Sequence, residues 1–104
     1  MNNKKIEGNY IVSESEQFSS MVTGNVTLTN GIEFIHRGMI CGDVIVQEDA
    51  HIYLYGMVNG NVLGTGYVEV WGIVGGTISP DTHSFIHKDA IINGHRQEND
   101  KNTI

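Results

Sequence analysis

The chain has 104 residues, with 12 acidic and 6 basic side chains and a net charge of −6. This length fits one domain. The acidic balance argues against nucleic acid and against an anionic membrane surface, both of which attract basic proteins. A basic protein partner is favoured instead. A single cysteine excludes an internal disulfide, and no apolar run is long enough for a signal peptide or a transmembrane segment. We therefore expect a cytoplasmic protein.

Three segments follow one another along the chain. Residues 1–19 lie before the first repeat and are expected to form an N-terminal segment, with a possible edge strand or cap near Tyr10. Residues 20–96 carry an internal repeat and are predicted to form the folded body. Residues 97–104 are polar and are expected to form a C-terminal tail.

The repeat is a seven-residue pattern in which Gly, then Val or Ile, then Gly, then Val or Ile occupy alternate positions. Its copies begin 18, 18, 16 and 18 residues apart, a spacing that β-hairpins do not explain. Residues 38–44, 56–62 and 72–78 fit the pattern fully, whereas 20–26 and 90–96 fit it in part. The two-residue loss falls between Val62 and Val68, where we expect a tightened corner.

Aliphatic residues also recur every six positions, and three sixes make one repeat. This indicates an all-β, single-stranded parallel β-helix (a β-solenoid) whose triangular coils contain about 18 residues and three short strands. Glycines are expected at corners because they tolerate unusual dihedral angles. Equivalent inward residues should stack in three columns: Val22, Ile40, Val58, Val74, Ile92; Val26, Val44, Val62, Ile78; and Phe34, Ile52, Val68, Ile86.

The Val-x-Gly-Asn-Val units at residues 22–26 and 58–62, with the variant at 40–44, resemble the coils of bactofilins. Bactofilins are bacterial cytoskeletal proteins with a right-handed triangular β-helix, and the resemblance covers about residues 20–96. It implies a right-handed coil, end-to-end polymerisation without a nucleotide, and no catalysis.

The left-handed hexapeptide transferases are the alternative solenoid. Their usual unit has Gly, Ala, Glu or Asp directly after the aliphatic residue. Here that place is occupied by Thr23, Thr29, Ile35, Cys41, Gln47 and Tyr53. The right-handed form is therefore favoured.

No residue pattern indicates an enzyme, a cofactor or a metal site. His83 and His87 could share a strand face, but no HExxH motif or cysteine pair accompanies them. The sequence also lacks a G-x-S-x-G nucleophile motif and a phosphate-binding loop. We therefore predict a protein without catalytic activity.

One outer face is predicted to collect aromatic side chains, which are enriched at protein interfaces. Its predicted columns place Tyr67 above Phe85, Glu69 above His87, and Trp71 above Asp89. The candidate partner-binding residues are His51, Tyr53, Tyr55, Tyr67, Trp71 and Phe85, with an acidic rim of Glu33, Asp49 and Glu69. Cross-strand stabilisation of the sheet is the alternative role for these rings.

Two functions follow from these features. The first is a scaffold that self-associates, as a homo-oligomer or polymer, through exposed coil ends, where Val22, Val26 and Ile92 are expected to lie. The second is a small acidic immunity or inhibitor protein that binds and neutralises a basic toxin through the aromatic face.

Overall fold

The computed structural model describes residues 5–96, which form a β-solenoid of about five coils. This part of the chain contains no helix, and so none that is long and apolar enough to cross a bilayer. Its fifteen strands form three sheets, and the strands pair in parallel except for the last pair. The predicted fold class and the spacing of about 18 residues between coils are confirmed. The C-terminal tail predicted for residues 97–104 lies outside the described residues.

Each coil passes through a four-stranded, a five-stranded and a six-stranded sheet in turn. The four-stranded sheet contains β1 (Tyr10–Val12), β4 (Val26–Leu28), β7 (Val44–Val46) and β10 (Val62–Gly64). The five-stranded sheet contains β2 (Glu16–Phe18), β5 (Glu33–His36), β8 (His51–Leu54), β11 (Tyr67–Val70) and β13 (His83–Ile86). The six-stranded sheet contains β3 (Met21–Val22), β6 (Met39–Ile40), β9 (Met57–Val58), β12 (Ile73–Val74), β14 (Ile91–Ile92) and β15 (His95–Arg96).

The core consists of columns of inward side chains, as alternation within the strands requires. The predicted columns that begin at Val22 and Val26 are confirmed by the strand register. Their members in the middle coils are fully buried, and each such side chain contributes about 1.5–3 kcal/mol of transfer free energy.

The third predicted column is wrong in its last member. Phe34, Ile52 and Val68 stack as expected, but Ser84 follows Val68, and Ile86 stacks on Val70. The cause is the position of the corner in which the coil returns to its usual number of residues. The two residues lost after β10 are restored only after β13, in the corner at residues 87–90, so that β13 lies sixteen residues after β11 rather than eighteen.

The corner between the six-stranded and four-stranded sheets, which we call the ladder corner, has three residues in every coil: 7–9, 23–25, 41–43, 59–61 and 75–77. A side-chain oxygen in this corner accepts a hydrogen bond from the backbone of the next coil. Asn25 Oδ1 accepts from the Asp43 amide at 2.8 Å, and Asp43 Oδ1 accepts from the Asn61 amide at 2.8 Å. Asn61 Oδ1 continues the series to the Thr77 amide at 2.9 Å.

The glycines of the ladder corner are required by space. A Cβ atom on Gly42 would overlap Asn25 Oδ1, and one on Gly60 would overlap Asp43 Oδ1. Neither glycine has a positive φ. Our expectation that unusual dihedral angles explain these glycines is therefore wrong. Each glycine leaves room for the Asn or Asp side chain of the preceding coil, which explains the Gly-Asn pairing in the repeat.

The stacked coils begin earlier than residue 20. Ile6 forms a parallel bridge with Val22, β1 pairs with β4, and β2 pairs with β5. Residues 6–18 thus supply the first coil, and β1 is an edge strand of its sheet. Val22 and Val26 do not lie at an exposed end of the solenoid. The first coil covers both residues, and their accessibility is 0%. Our placement of these two valines near an exposed coil end is wrong.

Both ends of the solenoid carry features that discourage end-to-end stacking. At the first coil, Glu16 occupies an inward register position and accepts a hydrogen bond from the Tyr10 hydroxyl. Burial raises the pKa of Tyr10 to about 12, and the hydrogen bond to Glu16 and its negative charge act in the same direction. At the last coil, Asn93 (φ 55°) and Gly94 (φ 79°) form a turn of the kind that hairpins require, and β15 folds back antiparallel onto β14. Inward polar groups and covered edges are known ways to block strand addition.

Candidate functional site

The outer surface of the five-stranded sheet, which we call the aromatic face, carries every partner-binding residue predicted from the sequence except Asp49. The side chains project outward because they alternate with the buried residues of the same strands. Two groups of rings lie on this face, one centred on His51 and the other on Trp71. Asp49 lies beside the face, in the corner that precedes β8.

The first group surrounds His51. The His51 ring stacks on Tyr53 at 4.2 Å between centroids and meets the edge of Tyr67 at 4.3 Å. Burial lowers the pKa of His51, although Glu33 and Glu69 act in the opposite direction. His51 Nε2 is shielded from solvent and has no hydrogen-bond partner. The pKa of Tyr53 is raised by desolvation and then by the same two glutamates. The group therefore combines a neutral imidazole with two flanking carboxylates.

The second group is a row of side chains that crosses the sheet just beyond the carboxyl ends of β5, β8, β11 and β13. Arg37 Cζ lies 4.8 Å from the centroid of Tyr55, whose ring is 6.1 Å from Trp71. Trp71 in turn stacks on His87 at 4.2 Å, and its indole nitrogen donates a hydrogen bond to Glu69 at 2.8 Å. Tyr55 and Trp71 remain 42% and 37% exposed despite these contacts. The row is thus held in place while its outer surface stays accessible.

Phe85 belongs to the aromatic face at a different position from the predicted one. The register places it beside Glu69, with its ring 6.2 Å from Trp71, whereas His83 lies beside Tyr67. His87, and not Asp89, stacks on Trp71. His83 is therefore a member of the face that was not predicted, and the predicted position of His87 after Glu69 is wrong.

A signal for these two residues was present in the corners. Gln47–Ala50 and His87–Ala90 both place Asp and then Ala at their last two positions. In each, the amide of the closing alanine donates a hydrogen bond to the carbonyl of the first residue, at 3.0 and 2.9 Å. This shared pattern indicates a four-residue corner after β13. Because the repeat copies at 72 and 90 are 18 residues apart, the two extra residues in that corner leave a step of only sixteen residues from β11 to β13.

A cavity of about 450 Å³ opens at one side of the aromatic face. Its lining comprises Glu48, Asp49, Ala50, His51, Thr65, Gly66, Tyr67 and His83. Residues 5–96 contain no group of three or more His, Cys, Asp or Glu side chains placed to hold a metal ion.

The cavity arises at the corner between the four-stranded and five-stranded sheets, which we call the variable corner. This corner has four residues at 29–32 and at 47–50, but only two at 65–66. The Tyr67 amide bonds the Ala50 carbonyl at 3.0 Å, so the two coils are in close contact at the sheet. Glu48 and Asp49 have no counterpart in the shorter corner, and the space beside them is therefore open.

The remaining self-association candidate, Ile92, is half-buried and faces the core from β14, where the hairpin strand β15 pairs with it.

A scan of protein-family models and searches of curated proteins and of solved structures found no match to this chain.

Proposed function

We propose that this protein is a non-enzymatic binding protein that recognises a basic protein partner through its aromatic face. The observation that carries the proposal is the row of Arg37, Tyr55, Trp71 and His87, in which the first three side chains are exposed. Large exposed apolar patches on small proteins mark interaction sites. Tyrosine, tryptophan and arginine are also the residues most enriched at the energetic centres of interfaces.

Charge supports a basic partner. The aromatic face has Glu33 and Glu69 within it and Glu48 and Asp49 at its border, and the Arg37 guanidinium lies over the Tyr55 ring. The whole chain carries a net charge of −6. Such a surface accelerates association with a cationic protein and disfavours acidic ones. Neutralisation of a basic toxin by an immunity protein is the kind of function that fits this surface.

The test is an affinity measurement with point variants. The partner is first captured on immobilised protein, identified and purified, and its dissociation constant is then measured with Tyr55→Ala and Trp71→Ala. Each substitution should weaken binding by about 30-fold, because such residues contribute about 2 kcal/mol or more. Met57→Ala, on the opposite six-stranded sheet, is the matched control and should bind normally. Unchanged affinity for both aromatic variants would contradict the proposal.

Self-association is the second candidate function, and a different surface supports it. Met21, Met39, Met57, Ile73 and Ile91 form an outward column along the six-stranded sheet. Their side chains are uncharged, so two copies can bring these columns together without repulsion despite the acidic balance of the chain. We infer that a scaffold built from this protein would associate side by side, since both coil ends carry features that discourage stacking.

Sedimentation velocity over a wide concentration range tests this second candidate. Self-association through the column predicts oligomers that dissociate in Met39→Lys, because burying the new charge is costly. A monomer at all concentrations would argue against self-association, and oligomers that persist in Met39→Lys would argue against this column.

A further inference from the structure

We propose that the cavity beneath Glu48 and Asp49 binds the guanidinium group of an arginine side chain from the protein partner. This inference rests on the proposed function and adds the chemical group that the aromatic face would recognise. Four observations carry it: the shape of the cavity, its unpaired carboxylates, its aromatic wall and a shielded nitrogen without a partner.

The first observation is the shape of the cavity. At about 450 Å³, it lies within the range of roughly 300–1,000 Å³ that is typical of ligand pockets. It exists because a four-residue corner lies beside a two-residue corner, and the backbone fixes both. Gly66, at the cavity wall, is buried and has no room for a Cβ atom, which would meet the carbonyl oxygens of Gln47 and Ala50. The cavity is therefore a built feature of the backbone.

The second observation is the state of the two carboxylates. Glu48 and Asp49 are exposed, and neither has a hydrogen bond or an ion pair within the described residues. Asp49 has a φ of 66° and lies in a corner that is closed by a hydrogen bond from the Ala50 amide to the Gln47 carbonyl at 3.0 Å. Two unpaired carboxylates at the border of a cavity favour a cation, and a guanidinium group can engage carboxylates in paired hydrogen bonds.

The third observation is the aromatic wall formed by His51, Tyr67 and His83. Guanidinium groups stack on aromatic rings better than ammonium groups do, because they are planar and weakly hydrated. The same sheet already holds one such contact, since Arg37 lies over Tyr55 at 4.8 Å. The wall thus selects arginine over lysine.

The fourth observation concerns His51. Its Nε2 atom is shielded from solvent and lacks a hydrogen-bond partner within the described residues, although shielded polar groups in proteins are generally paired. Burial lowers the pKa of His51, so its ring stays neutral near pH 7 and does not repel a cation. The ring is therefore suited to stack beside a bound guanidinium.

The test uses N-acetyl-arginine-N-methylamide as the probe and nuclear magnetic resonance of the full-length protein as the measurement. Titration should shift the signals of His51, Thr65, Gly66, Tyr67 and His83, with a dissociation constant on the order of 1 mM. The citrulline analogue, which has nearly the same shape but no charge, should cause no shifts. The lysine analogue should bind at least about tenfold more weakly.

Two variants remove the charge and preserve the fold. Glu48→Gln keeps the shape of the side chain, and Asp49→Asn also tolerates a positive φ. The double variant should weaken probe binding about tenfold or more, because charged hydrogen bonds are lost. Equal binding by the variant, equal binding of citrulline, or equal binding of lysine would overturn the proposal.

The same variants separate this inference from the proposed function. If the partner loses affinity with Trp71→Ala but not with the double variant, the face binds the partner and the cavity proposal is wrong. If the probe binds the cavity but Tyr55→Ala and Trp71→Ala leave partner affinity unchanged, the cavity binds guanidinium and the proposed function is wrong.

Discussion

The ladder corner and the variable corner of the solenoid differ in what limits their length. The ladder corner has three residues in each of the five places where the structure describes it, whereas the variable corner changes between two and four. In the ladder corner, each Asn or Asp side chain occupies the space above a glycine of the next coil. Within residues 5–96, the variable corner has single hydrogen bonds between coils, such as Thr29 Oγ1 to the Val12 carbonyl at 3.1 Å, but no repeated Asn or Asp side chain above a glycine. The cavity lies at this corner.

The difference shows how a repeat protein of this size can hold its shape and still vary. One corner fixes the register of the coils through a repeated series of Asn or Asp side chains above glycines. Another corner lacks this series and differs in length between coils. Changes in loop length cost little when the ends of the loop are already held in place. Changes in the ladder corner should therefore cost more stability than changes in the variable corner.

The first prediction contrasts two glycines. Gly42→Ala should destabilise the protein by about 3 kcal/mol, because the added Cβ overlaps Asn25 Oδ1 and lies 2.8 Å from the Gly24 carbonyl oxygen. Gly31→Ala, in the variable corner, meets no atom within 4 Å and is strained only by its φ of 80°. It should cost about 1 kcal/mol. Urea denaturation measures both, and equal losses would argue against the interlock.

The second prediction concerns His36, a fully buried residue of the core that stacks on Phe18 and Phe34. Burial lowers the pKa of His36 to about 4, and neither ring nitrogen has a hydrogen-bond partner. The folded state therefore binds fewer protons than the unfolded state below pH 6.5. Stability should be intact above that pH and should fall by about 2 kcal/mol between pH 7 and pH 5.

His36→Leu is the matched variant for this pH effect. Leucine cannot be protonated and leaves no buried nitrogen unpaired, so the variant should lose much less stability over the same pH interval. Urea denaturation of both proteins at pH 7 and pH 5 gives the comparison. An unchanged pH dependence in His36→Leu would show that His36 is not the group responsible.

The third prediction concerns one step of the hydrogen-bond series. Asn61→Ala should cost about 1 kcal/mol, since the Thr77 amide loses its acceptor. Asp43→Asn is the control, because the amide oxygen can still accept from the Asn61 amide. Its stability should change by less than about 0.5 kcal/mol. A larger loss in Asp43→Asn than in Asn61→Ala would indicate that charge, and not the acceptor, stabilises the corner.

The smallest expected effect lies on the aromatic face. Tyr55→Ala should change stability by less than about 1 kcal/mol, because the ring is 42% exposed and its contacts with Arg37 and Trp71 lie at the surface. Thermal and urea denaturation measure this change. A loss of 3 kcal/mol or more would assign the rings to stabilisation of the sheet, the alternative role for this surface.

Much of the fold follows from the sequence because glycine and aliphatic positions repeat with the coil. The first coil was missed even though Ile6-Glu7-Gly8-Asn9-Tyr10 has the form of the ladder unit. Tyr10 replaces the usual valine there, and the step to the next coil is sixteen residues rather than eighteen. A repeat sought with a fixed step does not recover such a coil.

The aromatic face was predicted correctly where it depends on alternation within a strand, and incorrectly where it depends on the length of a corner. The outward position of Tyr53, Tyr55 and Trp71 follows from alternation along the strands, which the sequence carries directly. The neighbours of Trp71 depend on whether a corner holds two or four residues. The cavity depends on the contrast between two corners. The sixteen-residue step of the repeat indicates the short corner between Val62 and Val68, but the period does not show that the space beside Glu48 and Asp49 stays open.

The most direct test of the account is a pair of insertion variants. A Gly-Ser dipeptide is inserted between Asn59 and Gly60 in the ladder corner, or between Thr65 and Gly66 in the variable corner, and urea denaturation is measured for both. The account predicts that the first insertion costs more than about 3 kcal/mol and the second less than about 1 kcal/mol. Equal losses from the two insertions would contradict it.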